Sequence, residues 1–148
     1  MYGELVLIAG LPGSGKTTYL CQKCRDGWSV FDDFKANAFQ GSSQFRSSTK
    51  LRALLAALQD GNNCVVADVA FCDEAHRRDA ENVLRTEIVN LKFTWEFFAN
   101  DRSACEANVR QRNSRGLEQD LQCLESYSPS YHIPDGAVVH PVWREHHD

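Results

Sequence analysis

Residues 4–9, Glu-Leu-Val-Leu-Ile-Ala, run straight into Gly10-Leu-Pro-Gly13-Ser14-Gly15-Lys16-Thr17-Thr18, and this stretch decides the fold. An unbroken apolar run without polar alternation is what a strand needs when both its faces are covered. The octapeptide Gly10–Thr17 matches GxxxxGK[ST] in full, between a buried strand and the start of a helix. Glycines let the backbone wrap closely around phosphates, and the N–H groups at a helix start hold the anion. Gly10, Gly13, Ser14, Gly15, Lys16, Thr17 and Thr18 are therefore expected to bind the phosphates of a nucleoside triphosphate. Lys16 neutralises the β- and γ-phosphates, and the Thr17 hydroxyl ligates magnesium.

Outward from this motif the chain alternates strands and helices. Residues 17–25 read as a helix and Trp28–Phe31 as a second strand ending at Asp32. Residues 33–47 have no clean period and read as a loop with one helical turn at most. Leu51, Leu54, Leu55 and Leu58 follow the i, i+3, i+4, i+7 pattern of an amphipathic helix over 48–60, stopped by Gly61-Asn62-Asn63. Cys64–Asp68 is a third strand. Asp73 caps a helix whose apolar face is Ala80, Val83, Leu84 and Ile88. Residues 91–99 form a fourth strand. Asp101 caps a helix that runs through Arg115 and ends at Gly116, so that Arg112 and Arg115 share a face. Leu117, Leu121 and Leu124 mark another helix, and Ala137–His140 a last strand. This alternation predicts a parallel sheet with right-handed crossovers, whose ligands bind beyond the carboxyl ends of the strands. The P-loop, Asp32, Asp68 and Asp101 all fall at such ends.

Asp68 closes an apolar strand. It suits a magnesium site reached through water, and equally a helix cap. Transfer of a γ-phosphate to a hydroxyl needs a carboxylate that orients the acceptor in line, and Asp32 or Asp33 stands where one is needed. The alternative is an acidic turn. Arg110, Arg112 and Arg115 can meet charge on the equatorial oxygens, or else complement a helix C-terminus as a solvated basic face. Phe45 with Arg46, Lys50 and Arg52 reads better as a solvated face beside a core aromatic than as a nucleic-acid groove.

With 148 residues, a single domain spanning 1–148 is expected. A formal charge of −4 supplies no global cationic field, although local basic clusters leave a nucleic-acid substrate open. No run approaches a membrane span, so no membrane partner is expected. The six cysteines follow no secretory signal and read as free thiols of a cytoplasmic protein. Cys21-x-x-Cys24 lacks a second pair for zinc, and the five histidines have no metal-like spacing with carboxylates.

Four segments together resemble the P-loop kinases, and within them the kinase domain of phage-type 5′-polynucleotide kinase. They are Gly10–Thr18, Asp32-Asp33-Phe34-Lys35, Val65–Asp68 with Arg77-Arg78, and Arg112-Asn-Ser-Arg115-Gly116, in family order over residues 4–127. The resemblance implies a three-layer α/β fold with a parallel five-stranded sheet in the order 2-3-1-4-5. It also implies ATP and magnesium, with Asp32 as general base and Arg112 and Arg115 clamping the donor phosphates. Asp68 would support the Lys16 and Thr17 end of the site. Lys35 stands where the family usually has an arginine gripping the acceptor's phosphate, and lysine is a point charge without a bidentate fork. The expected acceptor is a hydroxyl, on a polynucleotide 5′ end or on a small metabolite. A nucleotide-binding module that transfers nothing is the alternative from another class.

Overall fold

The first strand, β1 (Leu5–Ala9), is buried at every residue, and its side chains divide between two cores. Leu5, Leu7 and Ala9 join one apolar cluster, Val6 and Ile8 the other, because successive side chains of a strand point to opposite faces. The computed structural model describes residues 1–32, 49–112 and 115–143. The larger cluster takes Leu51, Leu54 and Leu58 from helix α2 (Thr49–Gln59) and Ala80, Val83 and Leu84 from α3 (Glu74–Glu87). The smaller takes Leu20 from α1 (Lys16–Arg25), Val65 and Ala67 from β3 (Cys64–Ala67) and Phe98 from β4 (Phe93–Phe98). Helices thus cover both faces of the sheet, in the three-layer α/β arrangement expected.

With β2 (Ser29–Phe31) and β5 (Val138–His140), the strands form one five-stranded sheet in the order β2-β3-β1-β4-β5. All four pairings are parallel, with Leu5 opposite Cys64 on one side of β1 and Phe93 on the other. Order and sense agree with the expectation. All strands point one way, so the segments following β1, β2 and β3 emerge at one edge.

Two further helices complete the described chain, α4 (Arg102–Arg112) and α5 (Leu117–Tyr127). Asp73 caps α3 through Oδ1, which accepts from the Ala75 N–H at 3.1 Å, and Asp101 Oδ1 accepts from Ala104 N–H at 3.1 Å. One boundary corrects the sequence reading. α4 ends at Arg112, while Arg115 and Gly116 lie in a turn. Gly116 is the N-cap of α5 with φ −91°, not the left-handed residue that closes a helix. The shared helical face expected for Arg112 and Arg115 is therefore not formed.

The carboxyl ends of β1 and β4 are tied together by a side chain. The buried Tyr131 hydroxyl donates to the carbonyls of Ala9, at 3.3 Å, and of Phe98. Burial drives its acidity well below that of a free tyrosine, raising its pKa.

Candidate active site

Between β1 and α1 the chain turns through Gly13 with φ +81° and Gly15 with φ +107°, a region side chains rarely adopt. Space is denied as well as conformation. A Cβ on Gly13 would stand 2.4 Å from the Cys105 carbonyl oxygen, and one on Gly15 would stand 2.6 Å from Cβ of Trp143. No side chain caps α1 at Gly15, and its first turn holds no acidic residue. Its leading N–H groups therefore face outward as donors for an anion.

Lys16 folds back along this loop. Its ammonium donates to the Gly10 carbonyl and, at 3.3 Å, to that of Leu11. Burial lowers its pKa, and the negative charges of Asp32 and Asp68 oppose that shift. Ser14 is buried, and its Oγ has no hydrogen-bond partner among the described residues.

The loop forms one side of a cavity of about 600 Å³, within the size of ordinary small-molecule sites. Residues 11–18 line it, and Asp32 and Asp68 join them from the ends of β2 and β3. Asp68 is buried, and its Oδ1 accepts from the Ala70 N–H at 2.9 Å, capping the single turn Val69–Cys72. Its capping and its place on the cavity wall coexist. The Thr17 hydroxyl side chain and the Asp68 carboxylate are both hard oxygen donors on this one wall, a donor set that suits magnesium.

α4 contributes Arg112 to the cavity, and α5 contributes Gln119, Asp120 and Cys123. Arg115 is exposed and not among the lining residues. Arg110 pairs with Glu106 at 3.0 Å on the outer face of α4. Asp101, although at a strand end, is spent on capping. Arg77 and Arg78 stand elsewhere. Arg77 is buried, donating to the carbonyls of Phe71 at 2.7 Å and His132 at 3.1 Å, and Arg78 pairs with Glu74. Asp33, Lys35, Phe45, Arg46, Asn113 and Ser114 lie outside the described residues. Lys50 and Arg52 are exposed on α2.

Two residues that the sequence reading passed over hold the loop in place. Asn108, buried on α4, gives its amide hydrogens to the Gly13 carbonyl at 2.9 Å and to the Trp143 carbonyl. The Trp143 N–H in turn donates to the Ser14 carbonyl at 2.9 Å. The segment after β5 is thereby bolted across the P-loop. Asn108 precedes Arg112 by one helical turn, a spacing that could have marked it. Trp143 offered no signal beyond being an aromatic after the last strand.

No family model matches this chain, and no curated protein does. Solved structures do. A sugar kinase from Janibacter sp. HTCC2649 aligns with a TM-score of 0.60 at 17% identity, over 94% of this chain and 84% of that one. A fungal RNA kinase aligns at 0.59 and 14% identity, over 99% and 78%. The Mycobacterium tuberculosis APS kinase, solved in complex with AMPPNP and APS, aligns at 0.58 and 21% identity, over 97% and 91%. At these identities the likeness is one of fold, and the fold is that of the P-loop kinases.

Proposed function

We propose that this chain, a single domain over residues 1–148, is an ATP-dependent phosphotransferase that moves the γ-phosphate to a hydroxyl acceptor. The observation that carries the reading is one cavity joining a phosphate-cradling loop to Asp32, which arrives from the end of a strand two places away in the sheet. The fold shared with a sugar kinase, an RNA kinase and an APS kinase supports it.

In this reading the loop N–H groups from Gly13 to Thr18 hold the phosphates, and Lys16 exchanges the carbonyls of Gly10 and Leu11 for their oxygens. Asp32 orients the acceptor hydroxyl and takes its proton as the new O–P bond forms and the bond to the bridging oxygen breaks. Arg112 meets the charge that develops on the equatorial oxygens, joined by Arg115 when the turn before α5 closes. Thr17 and Asp68 would hold magnesium, which would supply positive charge to neutralise the phosphates. Lys35 contacts the acceptor, an assignment resting on the sequence resemblance alone. The acceptor is a small hydroxylated metabolite or the 5′-hydroxyl of a polynucleotide.

A labelled-ATP transfer screen over 5′-hydroxyl RNA, 5′-hydroxyl DNA, nucleosides and a metabolite panel tests this. Label should reach at least one acceptor with the natural chain, and neither Lys16→Ala nor Asp32→Asn should support transfer, although Asp32→Asn still binds ATP. ATP binding without transfer to any acceptor would make the chain a nucleotide-binding module instead.

A further inference from the structure

A second cavity, of about 630 Å³, opens between α3 and residues 132–137, and no described residue lines both it and the P-loop cavity. Its size is that of an ordinary small-molecule site. β4 gives it an apolar floor of Trp95 and Phe97, whose rings stack with centroids 6.2 Å apart. Phe97 is buried, while Trp95, held edge-on to Phe71, keeps part of its surface open. Arg77 of α3 lines the same cavity above that floor, its guanidinium carbon 5.3 Å from the Phe97 centroid.

Arg77 is 7% exposed, and among the described residues it donates to the carbonyls of Phe71 and His132 and pairs with no carboxylate. Its fork carries more N–H donors than two carbonyls use. A buried cation is costly unless it is paired, and carbonyl dipoles offset only part of that cost. The carboxylates that α3 sets around the cavity are engaged elsewhere. Glu74 pairs with Arg78 at 2.6 Å, and Glu81 accepts from the Trp95 indole N–H at 2.7 Å and from Arg85 at 3.4 Å. Asp135 stands exposed on the opposite wall. A ligand that suits these walls carries a single negative charge for Arg77 and a flat apolar body for Trp95 and Phe97. A neutral ligand leaves the guanidinium unpaired, and a polyanion sets extra charge against Glu74, Glu81 and Asp135.

We propose that this cavity is a second ligand site, for a small monocarboxylate with a flat aromatic body. The carboxylate meets Arg77 in a charge-assisted pair, and the ring lies on the surface of Trp95 that the fold leaves open. The site does not depend on the phosphotransferase reading, since it shares no lining residue with the P-loop cavity.

The test is a fluorine NMR titration of the natural chain with 4-fluorobenzoate and with its neutral isostere 4-fluorobenzamide, each with and without magnesium ATP. An acid this small is expected to bind with a Kd on the order of 1 mM. The amide lacks the charge-assisted bond to Arg77 and should bind on the order of tenfold more weakly, and magnesium ATP should displace neither. Arg77→Gln should weaken 4-fluorobenzoate on the order of tenfold, to the level of the amide. Asp135→Lys, at an exposed position, should tighten it severalfold by exchanging a repelling charge for an attracting one. If circular dichroism shows that Arg77→Gln does not fold, the amide and Asp135→Lys decide. Equal binding of acid and amide would overturn the proposal, as would displacement by magnesium ATP, an Asp135→Lys chain that binds no better, or no binding of 4-fluorobenzoate at all. A folded Arg77→Gln chain with full affinity would make Arg77 a strut for two carbonyls and overturn it as well.

Discussion

Asn108 offers the sharpest test of how the site is held together. It is buried, and one amide nitrogen serves two carbonyl groups, Gly13 at 2.9 Å and Trp143. Asn108→Leu keeps the branching and heavy-atom count of the side chain and removes both donated hydrogens, so most of the cost lies in the acceptors left behind. An unsatisfied buried acceptor costs about 1–3 kcal/mol. Gly13 is buried, whereas Trp143 is half exposed and water can reach its carbonyl in part. The sum is about 2–4 kcal/mol, a fall in Tm of about 5–15 °C for a chain near this length. Asn108→Asp separates the hydrogen bonds from packing. It has nearly the same shape, but at neutral pH it has no hydrogen to give and sets a carboxylate against two carbonyl oxygens. It should lose at least as much as Leu at pH 7 and recover in part near pH 4, where a protonated carboxyl can donate. Thermal unfolding by circular dichroism reads the stability, and calorimetry with magnesium ATP reads the loop, whose affinity should fall in both variants. An Asn108→Asp chain that melts with the natural protein at pH 7 and binds ATP as well would refute the clasp.

Arg112→Ala should lower the transfer rate more than ATP affinity, on the order of tenfold to a thousandfold in kcat, because its charge matters most in the transition state. Arg115→Ala should do less, since Arg115 is exposed and off the cavity wall; an equal loss in steady-state kinetics would show that the turn before α5 closes onto the phosphates. A thiol reagent should label the exposed Cys21 and Cys24 first and leave Cys64, Cys72 and Cys105 unreacted in the native state, and ATP should slow labelling of Cys123, which lines the cavity. Burial pushes the Cys72 thiol up to about 12 from an ordinary value of 9.0. Above pH 9 the unfolded chain therefore loses that proton while the folded one keeps it, so stability falls as pH rises from 9 towards 12. Urea unfolding should show this fall reduced in Cys72→Ala.

Much of the architecture is legible in short stretches. The run Leu5–Ala9 announces a doubly covered strand because alternation forces its side chains into two cores, and both exist. The glycines announce the tight loop between β1 and α1 because the required conformations lie within eight residues. The leucines of α2 and the cap at Asp73 are likewise local, and local physics reads them correctly. The order of strands is not local. An apolar run says that a strand is buried but not which neighbour it pairs with, and here the order was expected only through the resemblance to P-loop kinases.

Gly116 shows where even a local signal divides. A glycine after a basic helical stretch reads as a stop, yet here it begins α5, with φ −91° in place of the left-handed angle of a helix stop. The clasp over the P-loop lies further out of reach. Asn108 meets Gly13 across 95 positions and Trp143 across 35. Such bonds exist only once α4 has packed and β5 has docked on β4 through Phe97 and Phe98. The residue types proposed to grip phosphate are written in the sequence, because such a ligand's chemistry demands them. What braces that grip came from the tertiary structure, because a carbonyl accepts from whichever donor the fold brings within 3 Å.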